Sequence, residues 1–391
     1  MKNKWPMVKI SKMALILRGS GLSKKDIDLS GSNKCILYGQ LYTLYGPVIE
    51  EVESRTNVEG KMFSVIGDVL VPGTTTADAM GIAVSSAVNE KGVIIGGDIN
   101  IIRTENRQIN SKFLSYLLNQ PYKNQLAQHA RGTNIIHLSG KDIGKIKIPV
   151  PPLKIQQKIV ERLDAIKKAQ ELNALQISKT DELFESIVKR NIIDNKSKQV
   201  LINDVCLKQE FYNPENSPDK EFIYIDISAI NSSSYSIITD KIKRIKGADA
   251  PSRARKKISA GDIIFSTVRP NLKRIAEIPE DLDGAIVSTG FTVLKPDDEK
   301  VNRKYFSLTT CSGITTKQVL PRIRGANYPA VTDKDIFETK IPLPPLPEQQ
   351  KIVSKLNTIQ DYKKLLLKQK NLLQELFDSV LQKSMKGEFE K

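Results

Sequence analysis

The sequence has few of the residues that build metal centres and disulfide frameworks. Its 391 residues include three cysteines, Cys35, Cys206 and Cys311, and two histidines, His129 and His137. The cysteines are far apart and form no C-x-x-C pair, so neither a disulfide scaffold nor a zinc ribbon is expected. We interpret the histidines as loop or surface residues, and we predict no metal site.

The motifs of several enzyme classes are also missing. The sequence has no G-x-x-x-x-G-K-[ST] loop, so an ATP-driven motor is not expected. It has no [DN]-P-P-[YF] motif, which holds the target amino group in DNA amino-methyltransferases, and no glycine-rich cofactor loop after a strand. Glu338-Thr-Lys340 is similar to part of a nuclease core, but no aspartate stands at a suitable distance on a separate strand. We therefore predict no catalytic residue and no cofactor in this chain.

Long apolar runs are absent as well. No segment has 18 consecutive apolar residues, and the N-terminus has no signal-type apolar stretch before a small-residue cleavage site. The sequence therefore predicts a soluble, cytoplasmic protein without a membrane partner.

Composition favours a globular protein that binds a polyanion. Hydrophobic residues make up 40% of the chain, and its length allows two or three domains. The formal net charge of +16 makes nucleic acid the first candidate partner, with an anionic membrane surface as the rival.

The chain repeats itself at a spacing of 193 residues. Ile148-Pro-Val-Pro-Pro-Leu-Lys-Ile-Gln-Gln-Lys-Ile-Val160 returns as Ile341-Pro-Leu-Pro-Pro-Leu-Pro-Glu-Gln-Gln-Lys-Ile-Val353, and the register also joins Arg131-Gly-Thr-Asn134 to Arg324-Gly-Ala-Asn327. A solenoid unit would be 20 to 50 residues long. The repeat therefore indicates a whole domain and its connector, used twice with pseudo-two-fold symmetry.

The back part of each copy predicts a long helix. After the proline-rich lead-in, neither proline nor glycine interrupts Leu153 to Arg190 or Glu348 to Lys386. Spacings of four and three residues define a seam, as in a coiled coil. Its apolar members include Ile159, Leu163, Ile166, Ile177, Phe184, Ile352, Leu356, Ile359, Leu373 and Phe377. The two helices are expected to pair antiparallel; the alternative is that each packs separately on its own domain.

The front part of each copy predicts a compact α/β domain. Glycine-bounded, β-branched segments predict strands at Gly67–Val71 and Gly92–Ile95 in the first copy. In the second copy they predict strands at Phe222–Ile227, Gly261–Phe265 and Ala285–Leu294. Short helices are expected at Ser111–Asn119 and Arg303–Thr310. The resulting division is domain 1 over 1–147, helix 1 over 148–192, domain 2 over 193–340 and helix 2 over 341–391.

Positive charge is concentrated in the second domain. From Lys241 to Ile275 the sequence has eleven lysines and arginines but only two acidic residues. Basic loops beside a strand suit phosphate contacts, and arginine can also read guanine in the major groove; a solvated basic face without a ligand is the alternative. The candidate DNA-binding residues in this domain are Arg253, Arg255, Lys256, Lys257, Arg269, Asn271, Lys273, Arg274, Arg322 and Arg324.

The first domain has weaker candidates. They are Thr74, Thr75, Arg103, Arg107, Arg131 and Asn134. Arg131 and Arg324 begin matching loops close to the long helices, so these loops could either contact DNA or brace each domain on its helix.

Two domains, each followed by a proline-led P-x-P-P-L-x-x-Q-Q helix, resemble the specificity subunit of type I restriction-modification systems. The resemblance covers nearly the whole chain from Trp5, and residues 132–138, Gly-Thr-Asn-Ile-Ile-His-Leu, are similar to the end of a recognition domain in that family. The first helix departs from the pattern, with Lys154 and Ile155 where Pro347 and Glu348 stand in the second.

The resemblance implies two target recognition domains that read the halves of a split DNA sequence, with an unread spacer set by the coiled coil. It implies two methyltransferase subunits, which bind S-adenosylmethionine and methylate adenine, and motor-nuclease subunits that use ATP and magnesium. The chain itself would then be a non-catalytic recognition subunit. Three alternatives stay open: a standalone regulator of bipartite operators, a coiled-coil scaffold, and a specificity protein of a related phage-defence system.

Overall fold

The computed structural model describes residues 5–104 and 108–388. These residues fall into two compact units. Unit 1 contains the residues up to Ala174 together with those from Lys368 onward, and unit 2 is Leu175–Leu367. The units divide within both long helices, so the predicted domain boundaries at 147, 192 and 340 stay predictions.

Unit 1 combines short strands with small helices. Its strands are β1 (Met7–Lys9), β2 (Leu15–Arg18), β3 (Asn33–Ile36), β4 (Val48–Ile49), β5 (Arg55–Thr56), β6 (Val69–Pro72), β7 (Thr74–Thr75), β8 (Ser86–Val88), β9 (Ile94–Ile95), β10 (Ile99–Arg103), β11 (Ile136–His137) and β12 (Lys147–Pro149). Its helices are α1 (Gln40–Thr43), α2 (Ala79–Ile82), α3 (Ser111–Asn119), α4 (Lys123–Gln128) and α5 (Gly140–Ile143), and the long α6 (Leu153–Val188) begins here.

A mixed five-stranded sheet, in the order β2-β10-β6-β8-β4, forms the centre of unit 1. Strands β3, β5 and β9 form a second sheet, while β1 pairs with β12 and β7 pairs with β11. Val69 and Val71 lie on one face of β6 and Leu70 on the other, and they join two separate clusters of buried hydrophobic residues. This alternation is what a strand between two apolar layers requires.

Unit 2 has a larger share of strand. Its strands are β13 (Gln199–Leu201), β14 (Cys206–Leu207), β15 (Glu210–Phe211), β16 (Glu221–Ile225), β17 (Ile230–Asn231), β18 (Ser236–Ile237), β19 (Lys243–Lys246), β20 (Ala254–Lys257), β21 (Ile263–Ser266), β22 (Ile275–Glu277), β23 (Ile286–Ser288), β24 (Phe291–Pro296) and β25 (Lys340–Pro342). Its helices are α7 (Arg303–Cys311), α8 (Ile314–Val319) and α9 (Asp333–Phe337), and α10 (Leu346–Lys386) begins here.

Two sheets build unit 2. One has the order β15-β20-β23-β16-β19, and the other has the order β14-β24-β21-β22. As in unit 1, a short strand from the start of the unit pairs antiparallel with the strand before the proline-rich lead-in: β13 pairs with β25 as β1 pairs with β12. The α/β class predicted for both domains is confirmed.

Two predicted elements differ in detail. The segment Ala285–Leu294 is not one strand, because Thr289 and Gly290 separate β23 from β24 and the two strands belong to different sheets. The α-helical hydrogen bonding of α6 ends at Val188, and the chain continues as a π-helical turn over Lys189–Ile193. Neither change was predicted from the sequence.

In unit 1 the two long helices run antiparallel. The side-chain amide of Gln170 bonds that of Gln374 at 3.2 Å, and that of Asn173 bonds Gln369 at 3.1 Å. The residue number rises along α6 while it falls along α10. Of the seam residues, Ile159, Leu163, Ile166 and Phe377 are buried in the core of unit 1, and Leu373 packs at its edge.

In unit 2 the other parts of the same helices also contact each other. Lys363 of α10 pairs with Asp181 of α6 at 2.5 Å. Of the seam residues, Ile352 and Leu356 are buried in the core, Phe184 packs against it, and Ile177 and Ile359 are half-buried. Among the described helices, none is both long and apolar enough to cross a membrane.

Candidate nucleic-acid interface

One exposed basic segment of unit 2 is the loop that follows β21, residues 267–274, here called the β21 loop. It contains a single 3₁₀ turn at Pro270–Leu272, flanked by Arg269 (φ 48°) and Lys273 (φ 51°). A left-handed backbone conformation at a non-glycine residue is unfavourable by roughly 1 kcal/mol or more, and such residues are found more often at functional sites. The turn directs the side chains of Arg269, Asn271 and Lys273 into solvent.

The β21 loop is held against a second loop, residues 324–330, here called the β25-side loop. The Arg269 N–H donates to the Pro329 carbonyl at 2.7 Å, and the Val331 N–H donates to the Thr267 carbonyl at 2.9 Å. Two segments that are about 55 residues apart in sequence therefore form one surface.

The charges on this surface are available to a ligand. Within the described part of the chain, no ion pair involves Arg269, Lys273 or Arg274, although Arg274 is half-buried. An exposed cation without an acidic partner suits a phosphate oxygen, because binding exchanges only water and counterions. These residues fit their predicted role, which stays a prediction.

The cations around β20 are in a different situation. Arg253 pairs with Asp226, Arg255 with Glu215 at 3.3 Å, and Lys257 with Glu210 at 3.9 Å. All three keep exposed surface, so each could exchange its acidic partner for a phosphate.

The position of Lys256 is at odds with its predicted DNA contact. Its side chain is 3% exposed, and its ammonium donates to the Phe291 carbonyl and to Asp333, both at 2.6 Å. Asp333 also accepts from the Thr292 hydroxyl at 2.7 Å. Lys256 lies on the inner face of β20, and the half-buried carboxylate of Asp333 neutralises its buried ammonium, because a buried charge needs a partner.

Arg322 and Arg324 brace the β25-side loop. The Arg324 guanidinium binds Asp335 at 2.9 Å, and Arg322 bonds the Asp335 carbonyl at 3.1 Å. Hydrogen bonds from Thr332 first, and then Arg324, lower the pKa of Asp335 to about 2. Within the described part of the chain, these contacts go to Asp335 and Glu338 and not to a long helix, and the Arg324 side chain stays 66% exposed. Contact with DNA and bracing of the domain on its helix therefore both stay predictions.

The first-domain candidates occupy varied positions. Thr74 and Thr75 are buried in β7, so their side chains do not suit the predicted contact, and Arg103 is ion-paired with Asp68 at 2.7 Å. Arg131 and Asn134 are exposed. Arg107 lies outside the described residues.

Unit 1 also has a basic cleft that the sequence reasoning missed. It measures about 820 Å³, and its cationic lining residues are Lys9, Arg18, Lys141 and Lys145. Arg18 pairs with Asp98 and Lys145 with Asp142, so part of this charge is compensated. The four cations come from separate segments, so no local run of charge marked the cleft.

The repeated glutamines have a structural role that was also missed. Gln156 is fully buried; its amide oxygen accepts from the Asn110 N–H at 2.7 Å, and its amide nitrogen donates to the Pro151 carbonyl at 2.7 Å. In unit 2 Gln349 makes the matching bonds with Asn302 and Pro344. The repeat thus encodes the attachment of each domain to its long helix.

In residues 5–104 and 108–388, no group of three or more His, Cys, Asp or Glu side chains is arranged to hold a metal ion. One carboxyl has an unusual pKa: burial raises that of Asp262 to about 6, against smaller opposing effects of a Ser259 backbone bond, Lys295 and Arg303. Asp262 is 1% exposed and lies at the base of β21, away from any nucleophile pattern.

A family model described as type I restriction modification DNA specificity domain matches residues 2–182 and again 195–376. The chain belongs to this family. The two matches coincide with the two copies of the repeat, each with its own α/β domain and most of the following helix. The resemblance inferred from the P-x-P-P-L-x-x-Q-Q helices is therefore confirmed.

Named relatives carry the same description. The chain is 30% identical over 115 residues to the type I restriction enzyme HindI specificity subunit of Haemophilus influenzae, a match that covers 29% of this chain and 25% of the relative. It is 22% identical over 333 residues to the type I restriction enzyme EcoDI specificity subunit of Escherichia coli, covering 72% of this chain and 70% of the relative. The chain thus spans only a quarter of the first of these DNA specificity proteins.

The fold recurs in a solved structure. The crystal structure of a type I restriction-modification S subunit from M. genitalium matches 98% of this chain and 96% of its own length, with a TM-score of 0.57 and 14% identity. At this identity the match shows the shared fold of the DNA specificity family and nothing about the bases that are read.

Proposed function

We propose that this chain is the DNA-recognition subunit of a type I restriction-modification complex. The observation that carries the proposal is the double match to a DNA specificity domain, one on each copy of the repeat. Each copy would read one half of a bipartite target, and the bases between the halves would be an unread spacer.

In unit 2, the contact surface would combine the β21 loop and the β25-side loop. Arg269 and Lys273 are exposed cations without an acidic partner in the described part of the chain, and Asn271 stands between them. Arginine and lysine would bind phosphates or guanine, and asparagine has the donor-acceptor pair that suits adenine. Arg253, Arg255 and Lys257 would add phosphate contacts at the side of this surface.

The chemistry would belong to partner subunits. Two methyltransferase subunits would supply S-adenosylmethionine and methylate adenine in each half-site, and motor-nuclease subunits would use ATP and magnesium to cleave unmodified DNA. This chain would select the site without catalysing either reaction.

Co-expression with a type I methyltransferase subunit tests the partnership. We expect the two proteins to co-purify and to bind duplex DNA with a steep salt dependence, since several phosphate contacts release several counterions. Tight, salt-dependent binding by this chain alone, without a methyltransferase, would favour the standalone regulator. Co-purification without DNA binding would favour the scaffold.

A further inference from the structure

Tyr328 occupies an unusual position on the β25-side loop. Among the large hydrophobic side chains of the described residues, it has the greatest exposed fraction, 80%. Its hydroxyl makes no hydrogen bond within the described part of the chain. Neither core packing nor an internal hydrogen bond accounts for an aromatic residue at this place.

The loop that carries Tyr328 is nevertheless rigidly framed. Arg324 and Ala330 form an antiparallel bridge with hydrogen bonds of 2.9 and 3.0 Å between their backbones. Gly325 has a φ of +88°, and a Cβ there would lie 2.9 Å from the Tyr328 carbonyl oxygen, so the turn requires glycine. Asp335 holds the Arg324 guanidinium. The frame presents Tyr328 in one place, as a contact residue requires.

Tyr328 is also part of the basic surface. Its neighbour Pro329 accepts the 2.7 Å hydrogen bond from the Arg269 N–H. The aromatic side chain therefore stands beside the loop of Arg269, Asn271 and Lys273. In duplex DNA an exposed side chain reaches a base at its groove edge, where an aromatic ring can contact the thymine methyl group, while neighbouring cations contact phosphates.

The matching loop of unit 1 repeats the arrangement with a different side chain. At the spacing of 193, Tyr328 corresponds to Ile135, which is 51% exposed. Arg131 and His137 bridge the base of that loop, and a Cβ on Gly132 would come within 2.0 Å of the Ile135 carbonyl oxygen. The framework is kept while the exposed residue changes, as expected where the domains read different bases.

We propose that Tyr328 is a specificity-determining residue whose ring contacts bases in the half-site read by unit 2. This inference rests on the proposed function. Ile135 holds the equivalent place for the other half-site, where an aliphatic side chain suits the methyl group of thymine.

The test uses the complex of this chain with its methyltransferase, in two steps. The wild-type complex is first mapped for methyladenine across a bacterial genome, which tests the proposed function by itself. The mapped duplex then serves as the binding probe for the variants Tyr328→Ala, Tyr328→Phe and Ile135→Ala over a range of salt concentrations.

We expect Tyr328→Ala to reduce the discrimination between bases at one or two positions of one half-site only. Its affinity should fall by up to roughly 150-fold, as for the loss of readout at one base pair, with an unchanged salt slope, since a ring contact releases no counterions. Tyr328→Phe should remain near wild type, and Ile135→Ala should relax the other half-site.

Three results would overturn the inference while leaving the proposed function intact. These are unchanged specificity and affinity in Tyr328→Ala, a salt slope reduced by about 0.9 as for a phosphate contact, or loss of the methyltransferase from the complex. Misfolding is checked by thermal unfolding, where so exposed a substitution should change little. A wild-type complex that methylates no split motif would instead refute the proposed function.

Discussion

Replacing Gln156 with alanine is expected to loosen the attachment of the first domain to its helix. The substitution removes three hydrogen bonds: one accepted from the Asn110 N–H, and two donated to the carbonyls of Pro151 and Gln108. Gln108 is exposed, so its carbonyl can bond water instead. The Asn110 N–H and the Pro151 carbonyl would lose their partner in or near the interior.

The expected loss follows from those two groups. A buried polar group without a partner destabilises a protein by about 1 to 3 kcal/mol, so the loss of a partner at two such groups in Gln156→Ala should lower the free energy of unfolding by about 2 to 6 kcal/mol. Gln156→Met keeps most of the side-chain volume and should lose nearly as much. Gln157→Ala is the matched control, since Gln157 is exposed and should change the free energy by under about 1 kcal/mol.

The single tryptophan makes the assay specific to this unit. Trp5 is half-buried beside the same core, and its indole N–H donates to the Ser384 carbonyl at 2.9 Å, both within unit 1. Urea unfolding followed by tryptophan fluorescence therefore reports on the unit that contains Gln156. A midpoint for Gln156→Ala as high as that for Gln157→Ala would refute the anchoring role.

Three further predictions concern charge, pH and packing. Arg269→Ala should reduce the salt slope of DNA binding by about 0.9 and spare one half-site; an unchanged slope in a fluorescence-anisotropy titration would exclude a phosphate contact. The pKa of Asp262 is raised to about 6 in the folded protein, so this carboxyl ionises at a lower pH in the unfolded chain than in the folded one. The free energy of unfolding of the wild type should therefore fall by up to about 3 kcal/mol as pH rises from 4 to 6. Asp262→Asn should remove much of that decline in urea unfolding curves, and an identical pH profile would contradict the burial argument. Phe377→Ala, which deletes a 4% exposed ring packed edge-to-face on Tyr116, should destabilise unit 1 by about 3 to 5 kcal/mol in the tryptophan assay, whereas the exposed neighbour Leu376→Ala should lose far less.

Features with a local or periodic signal were predictable from the sequence. The long helices follow from a seam spacing and an absence of proline and glycine, and α3 was predicted with its observed bounds, Ser111–Asn119. Asn110 explains that accuracy, because its side chain caps the helix by accepting from the Phe113 N–H. Strand boundaries were less accurate: the predicted strand Ala285–Leu294 is divided into β23 and β24 at Thr289 and Gly290.

Features that depend on distant partners were not predictable. In the sequence, Lys256 cannot be distinguished from its exposed neighbours in a basic run. In the fold its ammonium binds Asp333, which lies 77 residues further along the chain. Arg103 likewise has no obvious acidic partner in the sequence, but in the fold it is paired with Asp68. Charge density along a chain thus locates a basic region without telling which of its side chains face solvent.

The candidate DNA-binding surface also depends on contacts between segments that are distant in sequence. The sequence marked Arg269 and the Arg324-Gly-Ala-Asn327 loop separately, and backbone hydrogen bonds such as that between Arg269 and Pro329 join them in the fold. Tyr328 was passed over because a lone aromatic next to a proline has no periodic signal. Comparison of the two repeat copies at the spacing of 193 does not single it out either, since the loops share only their arginine, glycine and asparagine.

Methyladenine mapping in cells that express this chain with its methyltransferase tests the central claim most directly. The account predicts methylated adenines in a split motif whose two halves are separated by a spacer of constant length. It also predicts that variants in unit 2 alter only one half. Methylation at a continuous motif, or a stable complex that modifies no adenine, would contradict the assignment of one half-site to each repeat copy.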